Sequence, residues 1–565
     1  MVNDFIFSLI QQQIDPVKIL KKYSSLKSAR KPWDAKWQTI QDQVFPDYRD
    51  YVSDVQTTTQ PKTNKIKNHT GAISGEINKV VSLLSAQTCD PAVKWLDIKF
   101  ANNDLNRNYA ASSWLYGCKE ALYSLFADPE SEFYTSTYSF HLDWFSIGTA
   151  CREIVLRKDT GQIHFATVSM QDIYIETSAY GCVETTFRRF NLTVKQAVSL
   201  YGKNCHHTML QQVEQSELQA NPKKYEFVDV ILDNPLRNKI PTLKYISCVI
   251  DVQNKNVVDV GLHAVSPYIV SRFFVVPGET YGRSYVWNAM PDITALNRLS
   301  KRILQGVDFA TLPVVLVKDG TSIPQAQITP GSFIQGLDVN GHPTFQQMTF
   351  GGNVPMAMEY YNAKRNDLEN SLVARDIFPA ESPNMTATEV NERKIQSSNR
   401  IRPLIVRLEA EDLHKTVIRS LKLLEQLGQL PPFPYEELEL VPEQLPDPIG
   451  MLRVTFSGQM AKMQKLQDIS NMDNIFQKVL QLAQVDPSVL DRINVDQIVA
   501  NEAEIYDGPK NVINSDEVVE QIRAARQAQQ EAQQQAETES AMLDNFIKLK
   551  EAGIVNDEEG SPTNN

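Results

Sequence analysis

The chain has 565 residues, of which 42% are hydrophobic and 22% are charged, and this composition is typical of a folded globular protein. Its length predicts about three or four domain-sized units, and its net charge of -12 excludes a protein that wraps DNA by releasing many counterions. No uncharged apolar run reaches the roughly 18 residues of a membrane span, and the N-terminus lacks the features of a signal peptide. Six scattered cysteines without a CxxC pair argue against a disulfide framework or a zinc ribbon.

Helical and strand patterns follow one another in the first half of the chain, which predicts an α+β unit over residues 1–280. Residues 4–28 and 31–45 predict two helices, and further helices are predicted over 106–126 and 130–147. A helix before these is indicated by a buried stripe of Ile73, Ile77, Val80, Val81 and Leu84. Short β-prone runs then continue to Pro277, interrupted by a short helix that Thr193 is expected to cap.

The most strongly patterned stretch begins at residue 281. Apolar residues recur there at three- and four-residue steps, which predicts an amphipathic helix: Ile293, Leu296, Leu299, Ile303, Val307 and Ala310. Arg298, Lys301 and Arg302 lie off this stripe. We expect the helix to begin at about Pro291, because the missing N–H of proline is unpaired in a first turn anyway. Residues 311–354 contain short β-prone runs between glycine turns and predict a small β-rich insertion.

Helical pattern returns over residues 356–375 and restarts at a capping box formed by Thr386 and Glu389, which opens a long helix to about Leu427. An acidic, proline-rich connector, a strand and a small helical module follow to about residue 510. Residues 515–551 then predict a helix whose Gln-rich centre has no apolar stripe. Alone in water such a helix is marginal, so we expect it either to fray or to be held by neighbouring copies.

The motifs of nucleotide-binding loops, zinc proteases and serine hydrolases are absent from the sequence. The cluster Cys205, His206 and His207 favours a solvent-facing loop over a metal site, because adjacent side chains point in divergent directions. The acidic pairs Glu411–Asp412 and Glu436–Glu437 are interpreted as solvated charged surface. We therefore predict no catalytic residue, no metal and no cofactor, and the protein is not expected to be an enzyme.

Two blocks in the patterned stretch carry a resemblance: YGRSYVWNAMPDITALNRLSKRILQGVDFATLP at 281–313 and MTATEVNERKIQSSNRIRPLIVRLEAEDLHKTVIRSL at 385–421. In this order they resemble the portal, or head-to-tail connector, proteins of short-tailed T7-like bacteriophages. DWFSIGTACREIV and VETTFRRFNLTVKQAVSLYG support the resemblance upstream, so that it covers roughly residues 25 to 480. Because each block alone is a weak signal, the order of the blocks carries the assignment.

The resemblance implies a predominantly helical α+β portal fold with wing, stem, clip and crown. The implied parts are a wing (1–280), an outer stem helix (281–310), a β-rich clip (311–354), an inner stem helix (355–375), a tunnel loop (376–385), a long wing and crown helix (386–430), an acidic connector with a strand and crown helices (431–510), a C-terminal Gln-rich helix able to form a barrel (511–552) and a disordered tail (553–565). Pro403 is expected to kink the long helix.

The resemblance also implies a ring of twelve subunits at one capsid vertex of the virion, assembled in the host cytoplasm, through which double-stranded DNA is packaged and ejected. The implied partners are the terminase large subunit, tail adaptor or nozzle proteins, and capsid and scaffolding proteins. Residues placed near the channel or tunnel loop are Lys364, Arg365, Arg375, Glu381, Asn384, Arg393 and Lys394, and those placed in stem packing are Ile293, Leu296, Ile303 and Val307.

Alternatives to this assignment stay open at the level of the sequence. Any one of the channel cations is at least as well explained as a solvent-facing residue or as part of a salt bridge between subunits. The whole chain is alternatively another structural virion component, such as a head-tail adaptor or an internal core protein. A packaging ATPase or nuclease is disfavoured, because the nucleotide-binding motifs are missing.

Overall fold

The computed structural model describes residues 14–45, 70–102, 105–106, 108–212, 224–234, 243–312, 314–317, 333–335, 346–348, 354–372, 402–438, 447–456, 475–479, 481 and 516–551. The chain forms two compact units, a first unit of residues 1–461 and a second unit of residues 462–565. Helices and mainly antiparallel sheets occur together in the first unit, which confirms the α+β class.

The first described helix, α1 (Pro16–Val44), is continuous, so the prediction of two helices over 4–28 and 31–45 is wrong at their junction. Residues 4–13 lie outside the described part of the chain. Pro32 sits in the interior of α1, where it removes one backbone donor from the helical hydrogen-bond ladder. The helix nevertheless runs through this position, so something other than local preference holds it together.

Anchors on either side of the proline supply that support. The Arg30 guanidinium donates hydrogen bonds to the carbonyls of Met170 (2.8 Å) and Gln171 (2.7 Å) and also bonds that of Ile173. Trp37, on the other side of the proline, is completely buried. Because these tertiary contacts fix both flanks of α1, they outweigh the cost of the interior proline.

Three further helices and one strand complete the N-terminal part: α2 (Ala72–Thr88), β1 (Leu96–Phe100), α3 (Tyr109–Ala127) and α4 (Phe133–Ser146). The stripe that the sequence predicted for α2 is buried at all five positions, Ile73, Ile77, Val80, Val81 and Leu84. This agreement follows from the clean three- and four-residue spacing of the stripe.

The next strands are β2 (Thr149–Leu156), β3 (Ile163–Val168), β4 (Ile173–Thr177), β5 (Val183–Thr193), β6 (Lys224–Asp233), β7 (Tyr245–Asp251), β8 (Asn256–His263) and β9 (Tyr268–Arg272). Strands β3, β2 and β9 form an antiparallel sheet in that order, and β4 to β8 form a five-stranded antiparallel meander in chain order. The sequence did not predict β4, because its apolar run is only three residues long and lies between Asp172 and Glu176.

Two short helices follow β5: α5 (Val194–Tyr201) and α6 (His207–Gln211). Thr193 caps α5 in a complete capping box with Gln196, which confirms the prediction for this residue. The Cys205 side chain is buried, with its thiol 3.4 Å from the Ala197 carbonyl. The expectation of a solvent-facing loop is therefore wrong for Cys205, which packs as a small apolar side chain.

Helix α7 (Tyr285–Thr311) begins six residues before Pro291, so the predicted start is wrong. Ser284 caps the helix by accepting a hydrogen bond from the Trp287 amide at 3.2 Å. The Ser284 hydroxyl also donates to the Ser146 carbonyl at 2.8 Å. This buried serine provides a stronger start than the proline, which α7 accommodates in its interior.

The β-rich insertion contains β10 (Val314–Val317), β11 (Phe333–Gln335) and β12 (Gln346–Met348), with β10 central in one small sheet. Helix α8 (Val354–Ser371) follows. The long helix α9 covers residues 402–426 and includes a π-helical segment, Glu409–Leu413, before its last part, His414–Gln426. The final strand of the first unit is β13 (Leu452–Phe456).

Strand β13 closes the first unit by pairing with a strand from near the start of the chain. It runs antiparallel to β1, with Leu96 opposite Phe456 and Phe100 opposite Leu452. The side chains of Leu96, Ile98 and Phe100 on β1 are buried. The part of the chain that follows α9 is thereby joined to the N-terminal helices.

In the second unit, helix α10 (Asp516–Glu551) confirms the predicted Gln-rich helix. Residues 520–542 of this helix are all exposed. Val518, Ile522 and Met542 are its exposed large apolar side chains among the described positions. Such a helix gains little stability from packing against the described residues, so fraying and support by neighbouring copies both stay open.

Gly148, at the start of β2, lies against the segment that leads into α7. Its φ angle is +89°, and a Cβ atom there would be 2.6 Å from the Arg283 carbonyl carbon. Gly148→Ala should therefore lower the stability of the first unit by more than the about 1–3 kcal/mol of backbone strain alone. Thermal unfolding of the purified variant checks this expectation.

Gly161→Ala is the matched control for that substitution. Gly161 has a similar φ of +70°, but open space surrounds the position of its missing Cβ. The control should show only the strain cost, so a melting temperature equal to that of Gly148→Ala would contradict the close packing of β2 against residues 282–283.

Candidate functional site: the helix pair and the long helix

Helices α7 and α8 precede and follow the β-rich insertion in the chain, and they pack against each other. We call them the helix pair. Ile293 and Leu296 of the predicted stripe are fully buried in the chain's own core. Farther along α7 the stripe leaves this core, because Ile303 is only half-buried and Val307 is 43% exposed. The second half of α7 thus carries an apolar stripe that the single chain does not cover.

The uncovered apolar surface extends over both members of the helix pair. Large side chains that are exposed there are Leu304, Val307, Leu312, Met356, Met358 and Tyr360. Gly306 brings the two helices close, since a Cβ at this position would be 3.4 Å from Val354. A concentration of exposed apolar side chains of this kind is typical of an interaction surface.

Two of the predicted channel cations lie on α8 and are paired within the chain. The Lys364 amine is 3.2 Å from Asp292 and 3.3 Å from Asp367, and its hydrogen bond to Asp292 raises the pKa of this amine. The Arg365 guanidinium donates to Glu76 on α2 at 3.0 Å. These pairs tie α8 to α7 and α2 within the chain, and the sequence alternative had expected salt bridges between subunits.

The remaining predicted channel residues lie outside the described part of the chain: Arg375, Glu381, Asn384, Arg393 and Lys394. The same holds for the tunnel loop and for the capping box of Thr386 and Glu389. Pro403 is the second described residue of α9, so the kink expected there also stays a prediction.

The two ends of α9 contribute to different hydrophobic clusters. Leu408 belongs to a cluster with α2, α4 and the helix pair, which we call the helix-pair core. Leu413, Val417 and Leu421 belong to a cluster with α3, β1, β2 and β3, which we call the sheet core. Helix α9 therefore connects the two cores, and its π-helical segment lies between them.

A buried ion pair holds α9 on the three-stranded sheet. Arg152 of β2 donates two hydrogen bonds of 2.9 Å to the carboxylate oxygens of Asp412, and both side chains are completely buried. The Arg152 guanidinium also donates to the Thr137 hydroxyl, and the Thr416 hydroxyl donates to Asp412. The interpretation of Asp412 as solvated surface is wrong, because two parallel hydrogen bonds satisfy its charge inside the protein.

The neighbouring acid, Glu411, accepts hydrogen bonds from an edge strand of the same sheet. Its carboxylate accepts a hydrogen bond from the backbone amide of Arg272, on edge strand β9, at 2.7 Å. It also accepts from the guanidinium groups of Arg272 (3.0 Å) and Arg407 (3.1 Å). Glu436 and Glu437, in contrast, are exposed as predicted.

Sequence reasoning missed these acids, although one signal was present. Between Leu408 and Leu413 the apolar stripe of α9 takes a step of five residues, where a regular α-helix needs three or four. The two acids inside this step, Glu411 and Asp412, contact the sheet.

A second polar network joins the two large sheets. Arg188 of the five-stranded sheet forms an ion pair with Glu153 of β2 and donates to the Tyr268 hydroxyl at 3.3 Å. The Tyr268 hydroxyl donates in turn to Asp229 at 2.8 Å. Burial raises the pKa of Asp229 to about 6. Because this network is enclosed between sheets, it fixes their relative position.

Neither network resembles a catalytic or metal centre. Among the residues that the structure describes, no group of three or more His, Cys, Asp and Glu side chains is arranged to hold a metal ion. In that same part of the chain no helix combines the length and the apolar character needed to cross a bilayer. What distinguishes this region is a rigid framework beside an uncovered apolar helix pair.

Exposed apolar surface of this kind is typical of proteins that assemble with other proteins. The chain matches the family of bacteriophage head to tail connecting proteins over residues 17–513, and it belongs to this family. It is 22% identical over 552 residues to a probable portal protein of Bordetella phage BPP-1, covering 95% of this chain and 96% of the relative. It is 23% identical over 541 residues to a portal protein of Salmonella phage epsilon15, covering 92% of each chain. The resemblance found in the sequence is thereby confirmed.

Proposed function

We propose that this protein is the portal subunit of a bacteriophage, which forms a ring at one vertex of the capsid. The observation that carries the proposal is similarity over nearly the whole length of a relative named as a probable portal protein. The uncovered apolar surface of the helix pair supports it, because a ring needs such a surface between neighbouring copies. In this proposal twelve copies enclose a channel for double-stranded DNA.

The parts of the chain take distinct roles in the proposed ring. The helix pair is the stem, the insertion of 311–354 is the clip, and residues 1–280 form the wing. Residues 376–385 form the tunnel loop and α9 runs from wing to crown. The clip faces the terminase large subunit during packaging and the tail adaptor or nozzle afterwards, whereas capsid and scaffolding proteins contact the wing. Helix α10 is proposed to extend the channel as a barrel with its copies.

The proposed role is geometric and needs no catalytic residue. DNA that slides through a ring must make weak contacts, because many unpaired cations would retain its phosphates. Lys364 and Arg365 suit such contacts, since carboxylates within the chain already offset their charges. The proposed channel cations are therefore Lys364 and Arg365, together with three residues outside the described part of the chain, Arg375, Arg393 and Lys394.

The oligomeric state of the purified full-length chain tests this function. We expect native mass spectrometry and negative-stain images to show a closed ring of twelve subunits with a central hole. The physical reason is that head-to-tail contacts between identical subunits cover the apolar strip of every copy when their rotation closes into a ring. A stable monomer at assembly concentrations would contradict the proposal.

A head-tail adaptor or internal core protein is the alternative structural role. Labelling of the protein in intact particles separates the three possibilities. A portal should be found at a single capsid vertex within the shell, an adaptor outside the shell on the tail side, and a core protein in the capsid interior.

A further inference from the structure

The long helix α9 is interrupted by one π-helical turn. The amide of His414 donates its hydrogen bond to the carbonyl of Glu409, five residues earlier, instead of to that of Ala410, four residues earlier. A turn of this kind contains one residue more than an α-helical turn. Helix α9 therefore consists of an N-terminal half, 402–408, and a C-terminal half, His414–Gln426, that differ in register by one residue.

The apolar pattern of α9 contains the same extra residue. Leu404 and Leu408 are four residues apart, Leu413 follows after five, and Val417 follows after four more. In a regular α-helix a five-residue step would place Leu413 about 140° away from the stripe, since each residue turns by about 100°. The π turn contains the extra residue of this five-residue step, so the apolar pattern of the sequence matches the interruption.

The two halves are held with unequal strength. The C-terminal half is fixed on the sheet core by Val417 and Leu421, and the Arg419 guanidinium donates to the Val265 carbonyl at 3.0 Å. Next to this half, the Arg152–Asp412 pair holds the C-terminal side of the turn. Leu408 is the fully buried anchor of the N-terminal half among residues 402–408, and it packs in the helix-pair core. A change in register is thus easier for the N-terminal half.

We propose that the π turn Glu409–Leu413 is a register joint, through which the helix-pair core shifts relative to the sheet core by one residue of helix α9. When the turn relaxes to α-helix, the extra residue passes toward the N-terminus. The half of residues 402–408 then rotates by about 100° and moves by about 1.5 Å along its axis. The C-terminal half stays in place, because its buried apolar side chains and the Arg152–Asp412 pair beside it oppose movement.

The joint has a use that rests on the proposed portal function. The helix pair would line the channel while the sheets face the capsid, and DNA passage requires the two to adjust without breaking the ring. A joint within one helix permits a discrete shift of this kind, because packed cores change between separate arrangements and do not deform continuously.

Deletion of Ala410 tests the proposal in the full-length protein. Ala410 is exposed, and its removal makes the step from Leu408 to Leu413 four residues, so a regular helix keeps both halves in phase. The matched control is Glu409→Ala, which keeps the chain length and therefore the π turn. We expect both variants to fold, to melt no lower than the parent chain and to form rings.

The two variants should differ in amide exchange and in phage production. Amide hydrogen exchange at residues 405–414 should be slower in the deletion variant than in the parent chain, because a regular α-helix replaces the π turn. In complementation of a phage lacking its own copy of the gene, the deletion should lower the yield of infectious particles by about tenfold or more, within the range of typical coupling energies. Glu409→Ala should complement normally.

Two results would overturn the joint. Full complementation by the deletion variant would show that the turn has no moving role, and failure of that variant alone to fold would show that the turn is a fixed structural requirement. Failure of the proposed portal function is distinguishable from both, because the parent chain itself would then form no ring.

Discussion

Asp412→Asn should lower the stability of the first unit by about 3–5 kcal/mol, because it leaves the buried charge of Arg152 without a counter-charge. The substitution preserves the size of the side chain, so lost packing does not contribute. Chemical and thermal unfolding of the purified protein at neutral pH, followed by tryptophan fluorescence, measures the change.

The chain offers a matched control for this experiment in a surface pair. Arg157 and Asp159 form a similar ion pair, but their side chains are 43% and 63% exposed. Asp159→Asn should leave the stability almost unchanged, since water screens an exposed pair. If Asp412→Asn proves as mild as this control, Asp412 is not enclosed as described.

A double substitution separates loss of a charge from loss of the pair. Arg152→Met combined with Asp412→Leu removes both charges and fills similar volume, and replacements of this kind are often neutral or stabilising. We therefore expect the double variant to be clearly more stable than Asp412→Asn alone. A double variant less stable than either single variant would mean that the hydrogen bonds to Thr137 and Thr416 matter more than the charges.

Val307→Asp combined with Leu304→Asp should abolish ring formation while leaving the monomer folded. Both side chains are exposed in the single chain, at 43% and 52%, so the substitutions cost its fold little. In the ring they would enclose unpaired charges between subunits, at a cost of several kcal/mol for each interface. Analytical ultracentrifugation and circular dichroism together check both parts of this expectation.

Gln305→Asp introduces a charge into the same turn and serves as the control. Gln305 is exposed, but it lies about 100° around the helix from Leu304 and farther from Val307. It should assemble as the parent chain does. Full-size rings from the Val307 and Leu304 variant would mean that this apolar strip faces water, and the placement of stem packing along α7 would be wrong.

Local periodicity allowed most elements of the first unit to be predicted, because each buried face is repeated several times in its own segment. Tertiary contacts explain the errors. Helix α1 passes through Pro32 since Arg30 and Trp37 are anchored on distant residues, and Ser284 begins α7 before Pro291 through a bond to Ser146. No local pattern contains that information.

The candidate site was less predictable for a related reason. An acidic pair such as Glu411–Asp412 gives the same sequence pattern whether it faces water or a buried arginine. Its partners, Arg272 and Arg152, lie far away in the sequence. Ile293 and Leu296 were found because apolar spacing marks a buried face, whereas the extent to which Val307 is covered depends on copies of the chain. The residues of the tunnel loop stay a prediction.

The pairing of β1 with β13 has a consequence for synthesis of the protein. The partners Leu96 and Phe456 are separated by 360 residues, which a ribosome adds in about 20–70 s. During this time β1 has no strand beside it, and the sheet core lacks α9. A chain that stops before β13 leaves β1 without the strand that pairs with it. Pairing of β1 is therefore a late folding step of the first unit, since the other described strands of that unit are synthesised before β13.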